Sequence, residues 1–111
     1  MQDIFPKTVK KLPKADIPLD SVEAYLSQGE NHQILFMKFH ENEQIPEHSH
    51  GAQWGVVLSG EIELNIDGKV RIYSQGDRYF IAEGITHSAK ITSGYADITF
   101  FEEKDRYKKK L

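Results

Sequence analysis

Pro46-Glu47-His48-Ser49-His50-Gly51-Ala52-Gln53, then Gly60, then Gly76-Asp77-Arg78-Tyr79-Phe80-Ile81-Ala82-Glu83-Gly84-Ile85-Thr86-His87, is the part of the chain with the most to say. Residues two apart on an extended segment project from one face, so His48 and His50 can aim both imidazoles at a single point. His87 supplies a third ring from a separate, turn-rich segment, and Gln53 follows His50 closely. His32 and His40 have no such context and are expected to be surface or loop histidines.

Outward from this region the pattern is alternation. Leu35, Met37 and Phe39 share one face of a strand, with Ile34, Phe36 and Lys38 on the other, and Glu41-Asn42-Glu43 closes it. Further strands are expected over residues 53–58, 61–66, 70–73, 79–82, 87–91 and 95–101. Asp67-Gly68 between the third and fourth segments is a two-residue hairpin signal, because both positions can take positive φ. Residues 20–28 are expected as a short helical turn, capped by Asp20 or Ser21 and favoured by Glu23, Ala24 and Leu26. Ahead of them Pro6, Pro13 and Pro18 argue for an extended arm and against a helix. So many short strands joined by glycine-rich turns indicate an antiparallel sandwich or barrel.

The motif residues resemble those of the cupins. The first cupin motif is a turn glycine, five residues, His-x-His, three or four residues, Glu or Gln, six residues and glycine; the second is glycine, five residues, Pro-x-Gly, two residues and His. This chain matches at His48, His50, Gln53, Gly60, Gly76, Gly84 and His87, over residues 42–91. It departs at Asn42 for the first glycine, Ala82 for the proline and Ile91 for a frequent asparagine. The loop between His50 and Gln53 holds only Gly51 and Ala52, shorter than usual. Asn42 is a mild change, since Asn tolerates the left-handed turn conformation. The resemblance implies an all-β antiparallel jelly-roll barrel, a double-stranded β-helix, with His48, His50, Gln53 and His87 as metal ligands. One cupin domain over 1–111 is expected: an arm at 1–28, the barrel at 29–103 and a basic tail at 104–111.

Composition narrows the chemistry. The 111 residues contain no cysteine, so a metal must be held by nitrogen and oxygen, and disulfides and thiol nucleophiles are excluded. A formal charge of −3 without a basic stripe offers nucleic acid little to hold. Lys7, Lys10, Lys11, Lys14 and Lys108 to Lys110 read as solvated ends. With no apolar run of signal-peptide or membrane-spanning length, the expectation is a cytoplasmic protein that engages no membrane. A proline-rich arm on a small β-domain needs a sheet edge to cross, its own or a partner's, and a homodimer is expected on that ground.

Three imidazoles and one oxygen suit a divalent transition metal such as Zn, Ni, Mn, Fe or Cu rather than Ca or Mg. With Gln53 bound through its amide oxygen the ligand set is neutral, and the full dipositive charge is left to polarise a ligand oxygen. Asp97, a carboxylate within the apolar run Tyr95-Ala96-Asp97-Ile98-Thr99-Phe100-Phe101, is the candidate acid or base. The site is similar to that of the pectin-degradation cupins that convert unsaturated uronates to keto forms, with Phe100 or Phe101 and Arg106 as loose counterparts of their aromatic and arginine. Tyr79 is of a residue type that can reach a ligand hydroxyl, but an aromatic in a sheet more often packs, and Trp54 and Tyr95 share that ambiguity; Glu47 reads as pointing to solvent. The expected function is metal-dependent isomerisation or tautomerisation of a small oxygen-rich ligand, a sugar acid or keto acid. A non-catalytic metabolite- or metal-binding module and a metal-dependent oxygenase are the alternatives that the same ligands allow.

Overall fold

The computed structural model describes residues 3–111. One helical turn, α1 (Lys7–Lys10), precedes nine strands: β1 (Val22–Gln28), β2 (Gln33–Phe39), β3 (Glu43–His48), β4 (Gln53–Ser59), β5 (Glu61–Ile66), β6 (Lys69–Ser74), β7 (Arg78–Ile81), β8 (His87–Ile91) and β9 (Ala96–Phe101). They form a five-stranded sheet in the order β1-β2-β9-β4-β7 and a four-stranded sheet in the order β3-β8-β5-β6. All the pairings are antiparallel. This is the jelly roll, and its core lies between the two sheets. Leu35, Met37 and Phe39 on β2 face Ile62 and Leu64 on β5 across it, as their alternation requires.

Two turns show why particular residues are needed. Asp67 and Gly68 both take positive φ, 52° and 83°, and join β5 to β6 with Ile66 opposite Lys69. Gly60 has φ 71°, and a Cβ there would press on the Tyr95 backbone, so the motif glycine is required by close approach as well as by conformation. Asn42 does not take the left-handed conformation expected of it, since Asp67 alone among the described non-glycine residues has positive φ. Its side-chain oxygen instead accepts a hydrogen bond from the Ser93 backbone N–H at 2.8 Å. That bond stabilises the turn without glycine.

Residues 20–28 are not helical. Most of them form β1, paired with β2 from Val22↔Phe39 to Gln28↔Gln33. The helix-favouring residues Ala24 and Leu26 are two apart, and as a strand they bury both side chains in the core, a gain that outweighs weak local preference. The barrel therefore begins at Val22 rather than at residue 29. The arm in turn holds a helical turn at Lys7–Lys10 where none was expected, with Pro6 as its N-cap, where its carbonyl accepts from Lys10 N–H at 3.2 Å and its missing N–H costs no helical bond.

The arm packs on its own chain. Phe5 is buried edge-on against Tyr25 and Phe36, with ring centroids 6.1 and 6.0 Å away. Residues 13–15 run beside β1, with Ala15 N–H donating to Ala24 at 3.0 Å and Leu26 N–H to Pro13 at 2.8 Å. The C-terminal tail then pairs with the arm, Asp16 N–H to Lys108 at 2.7 Å and Lys110 N–H to Lys14 at 2.8 Å. Buried Gln33 holds the Tyr107 backbone through both its amide groups, at 2.7 and 2.9 Å. The sheet edge that the arm was expected to need is its own, and that ground for a dimer falls away.

Candidate metal centre

Two strands and the connection that follows the first deliver the imidazoles. His48 closes β3 and lies directly opposite His87, the first residue of β8, with a register irregularity between Ile45 and His48. His50 lies beyond the end of β3, in the short connection to β4, so the shared strand face expected of His48 and His50 is only half realised. The rings still converge. Their centroids are 5.2 Å apart for His48 and His50, 4.2 Å for His48 and His87, and 4.7 Å for His50 and His87. One nitrogen of each lies within 4.8 Å of those of the other two.

The backbone selects which nitrogen is free. Nδ1 of His48 contacts the Pro46 carbonyl at 2.8 Å, Nδ1 of His50 the Gly51 carbonyl at 2.7 Å and Nδ1 of His87 the Ile85 carbonyl at 2.9 Å. A carbonyl only accepts, so each Nδ1 carries the proton and each Nε2 keeps its lone pair. Burial, above all, lowers the pKa of His50 and His87, and the Arg106 charge acts in the same direction on both. Three rings that bind backbone carbonyls through Nδ1 and offer Nε2 to one point are a donor set that fits a divalent transition metal.

Gln53 opens β4 and lines the same cavity as the three histidines. Its amide nitrogen is 3.4 Å from the Tyr79 hydroxyl, which in turn donates to Asp97 Oδ2 at 3.3 Å. A tyrosine whose single proton goes to a carboxylate can only accept from Gln53. That leaves the amide oxygen of Gln53 for the cavity.

Asp97 points inward from β9 and is buried, not outward to solvent. The Tyr95 hydroxyl donates to its Oδ2 at 2.5 Å, beside Tyr79, while Oδ1 has no partner although it is buried. Burial pushes the Asp97 carboxyl up to about 6, against the hydroxyls of Tyr95, Thr99 and Tyr79, which favour its ionised form. Tyr79 and Tyr95 are themselves held well above the ordinary phenol range, chiefly by burial, and stay neutral donors. These two tyrosines, for which packing was the favoured expectation and a polar contact to a ligand the alternative, hydrogen-bond to Asp97.

A cavity of about 100 Å³ joins these groups. Ile17 and Leu19 of the arm and Arg106 and Tyr107 of the tail also line it, although arm and tail were expected to lie outside the barrel. The Arg106 guanidinium stacks 4.9 Å from the Tyr107 ring centroid and 5.9 Å from that of Phe101, and its buried Nε has no partner. Glu103 was missed altogether. Its Oε1 accepts from Gly51 N–H at 2.5 Å and lies 3.6 Å from His50 Nδ1, and a Cβ at Gly51 would collide with it. The short loop is thus braced from a residue that nothing nearby in sequence announces. Elsewhere, His32 stacks on Phe100 with centroids 5.0 Å apart, His40 lies 3.4 Å from Glu23 and Glu47 is exposed, none of them at the cluster.

The family model described as "Cupin domain" matches residues 35–100, more than half of the chain. No curated protein matches. Among solved structures, an RmlC-like cupin from Shewanella frigidimarina is 19% identical, with 95% of this chain and 94% of that one covered and a TM-score of 0.75. KdgF from Halomonas sp. is 19% identical, covering 82% and 87%, with a TM-score of 0.69. A variant of oxalate decarboxylase from Bacillus subtilis is 16% identical, covering 83% of this chain and 28% of that one, with a TM-score of 0.70. Likeness at such identity speaks for the fold alone.

Proposed function

The chain belongs to the cupin family, and from that premise we propose that it is a metal-dependent enzyme that moves a proton within a small oxygen-rich acid, a sugar acid or keto acid, causing isomerisation or tautomerisation. The observation that carries this reading is Asp97, buried with its Oδ1 unpaired, lining the same cavity as three convergent imidazoles. His48, His50 and His87 would hold the ion through Nε2, with the Gln53 amide oxygen as fourth ligand. A divalent ion bound there supplies Lewis-acid polarisation of a ligand oxygen.

The chain's own groups account for the rest. Tyr79 and Tyr95 occupy Oδ2 of Asp97, so the carboxylate has one oxygen with which to take a proton from the carbon beside a carbonyl. Returning that proton to a different atom completes an isomerisation. Arg106, with a buried and unpaired Nε at the cavity, is placed to hold a carboxylate on the ligand. The tyrosine-held carboxylate favours this reading over a non-catalytic module, which has no need of a free buried acceptor.

The test is hydrogen exchange on carbon. Zn²⁺-loaded protein in D₂O should wash the C3 protons out of 2-oxobutanoate, followed by NMR, and Asp97→Asn should slow this by about a hundredfold or more. Exchange no faster than buffer, or equal in the variant, contradicts the proposal.

We also propose a homodimer as the working state, formed through the outer face of the five-stranded sheet.

A further inference from the structure

The cavity has two unlike ends. One carries the imidazole cluster, Gln53 and Arg106, while Asp97, held by Tyr79 and Tyr95 and paired with Met37 in the register of β9 and β2, lies between that end and the other. Apart from Tyr107, every other lining residue is Ile, Leu, Met, Phe or Ala. Met37 from β2, Ile62 and Leu64 from β5 and Ile91 from β8 make the inner wall, and Ile17 and Leu19 from the arm make the outer one. Tyr79 and Tyr95 have committed their protons to Asp97, so neither has a donor left for a ligand.

A polyhydroxylated chain fits this wall poorly. Each hydroxyl turned towards Ile62 or Leu64 would lose its water without a new partner, at a cost that outweighs the contact it gains. An aliphatic chain in the same place loses nothing polar and leaves water. The polar groups at the other end suffice for one carboxylate and one carbonyl, the first at Arg106 and the second at the metal.

We infer that the ligand is a short 2-oxo acid, or its enol, with an apolar body rather than a hydroxylated sugar acid. This rests on the proposed metal-dependent reading and narrows its substrate class. The oxygen-bearing head lies between Arg106 and the imidazoles, with the carbon to be deprotonated facing Asp97 Oδ1. The aliphatic body runs along Ile62, Leu64 and Met37, under the cover that Ile17 and Leu19 provide. The arm therefore contributes to ligand selection as well as to the sheet.

Calorimetric titration of the Zn²⁺-loaded 111-residue chain with matched acids tests this. Along pyruvate, 2-oxobutanoate and 2-oxopentanoate, Kd should fall about fourfold for each methylene buried. A 2-oxo acid of the last length with hydroxyls at C4 and C5 should bind at least about tenfold more weakly than 2-oxopentanoate. A flat series, or tighter binding of the hydroxylated acid, overturns the inference and leaves the metal-dependent reading standing. If no member of the series binds while zinc stays bound, the proposed function itself fails, and the inference with it.

Discussion

At the scale of single residues, the site depends on hydrogen atoms whose positions the backbone fixes. Three carbonyls, of Pro46, Gly51 and Ile85, take the Nδ1 protons and so turn three Nε2 lone pairs to one point. Asp97 is the opposite case, a carboxylate kept in an apolar wall at a cost. Its folded pKa of about 6 lies above the ordinary 3.8 because burial penalises the charge. The folded state thus binds the proton more tightly than the unfolded one, so stability falls as pH rises from about 4 to 6 and levels off above, a loss of about 3 kcal/mol. In denaturant melts without metal, the stability of Asp97→Asn relative to the parent should improve between pH 4 and pH 7. An identical difference at both values contradicts this account of Asp97, since the histidines titrate alike in both proteins and cancel. The histidine spacing was legible in sequence because each ring is positioned by its own neighbours. Glu103 was not, because its bond to Gly51 joins segments that meet only in the fold.

At the scale of elements, local signals succeeded where the cause is local. Asp67-Gly68 forms its hairpin wherever the flanking strands can pair, and β5 spans Glu61–Ile66 as the alternation implies. Residues 20–28 misled because Glu23, Ala24 and Leu26 suit a helix, whereas their partner, β2, lies beyond the next turn and decides for a strand. The outer face of the five-stranded sheet is the other consequence of pairing. Register sets Ile34, Phe100, Trp54 and Phe80 in one row across β2, β9, β4 and β7, with Phe80 60% and Trp54 42% exposed. A flat apolar row of this kind suits a twofold contact with a second copy, which would present the same row in return. Sedimentation should show a dimer at micromolar concentration and a monomer for the Trp54→Ser, Phe80→Ser double variant. A monomeric parent would remove the proposed dimer.

For the molecule as a whole, the described arm and the tail are both parts of the fold. The arm lies between β1 and the tail, and together they bring Ile17, Leu19, Arg106 and Tyr107 to a cavity whose other walls are the two sheets. Arg106 was reached only through the family resemblance, and Ile17, Leu19 and Tyr107 could not be assigned from sequence, because prolines and lysines describe a segment's solvation and stiffness, not the surface against which it settles. The barrel and the histidine cluster could be, and on that cluster the account stands or falls. The most direct test is the metal content of purified protein after equilibration with a stoichiometric mixture of Zn²⁺, Ni²⁺ and Mn²⁺. One equivalent of divalent metal per chain is expected, falling below about a tenth of that in the folded His48→Ala, His50→Ala double variant. A double variant that keeps its full equivalent, or a parent chain that takes up none, contradicts the metal centre described above.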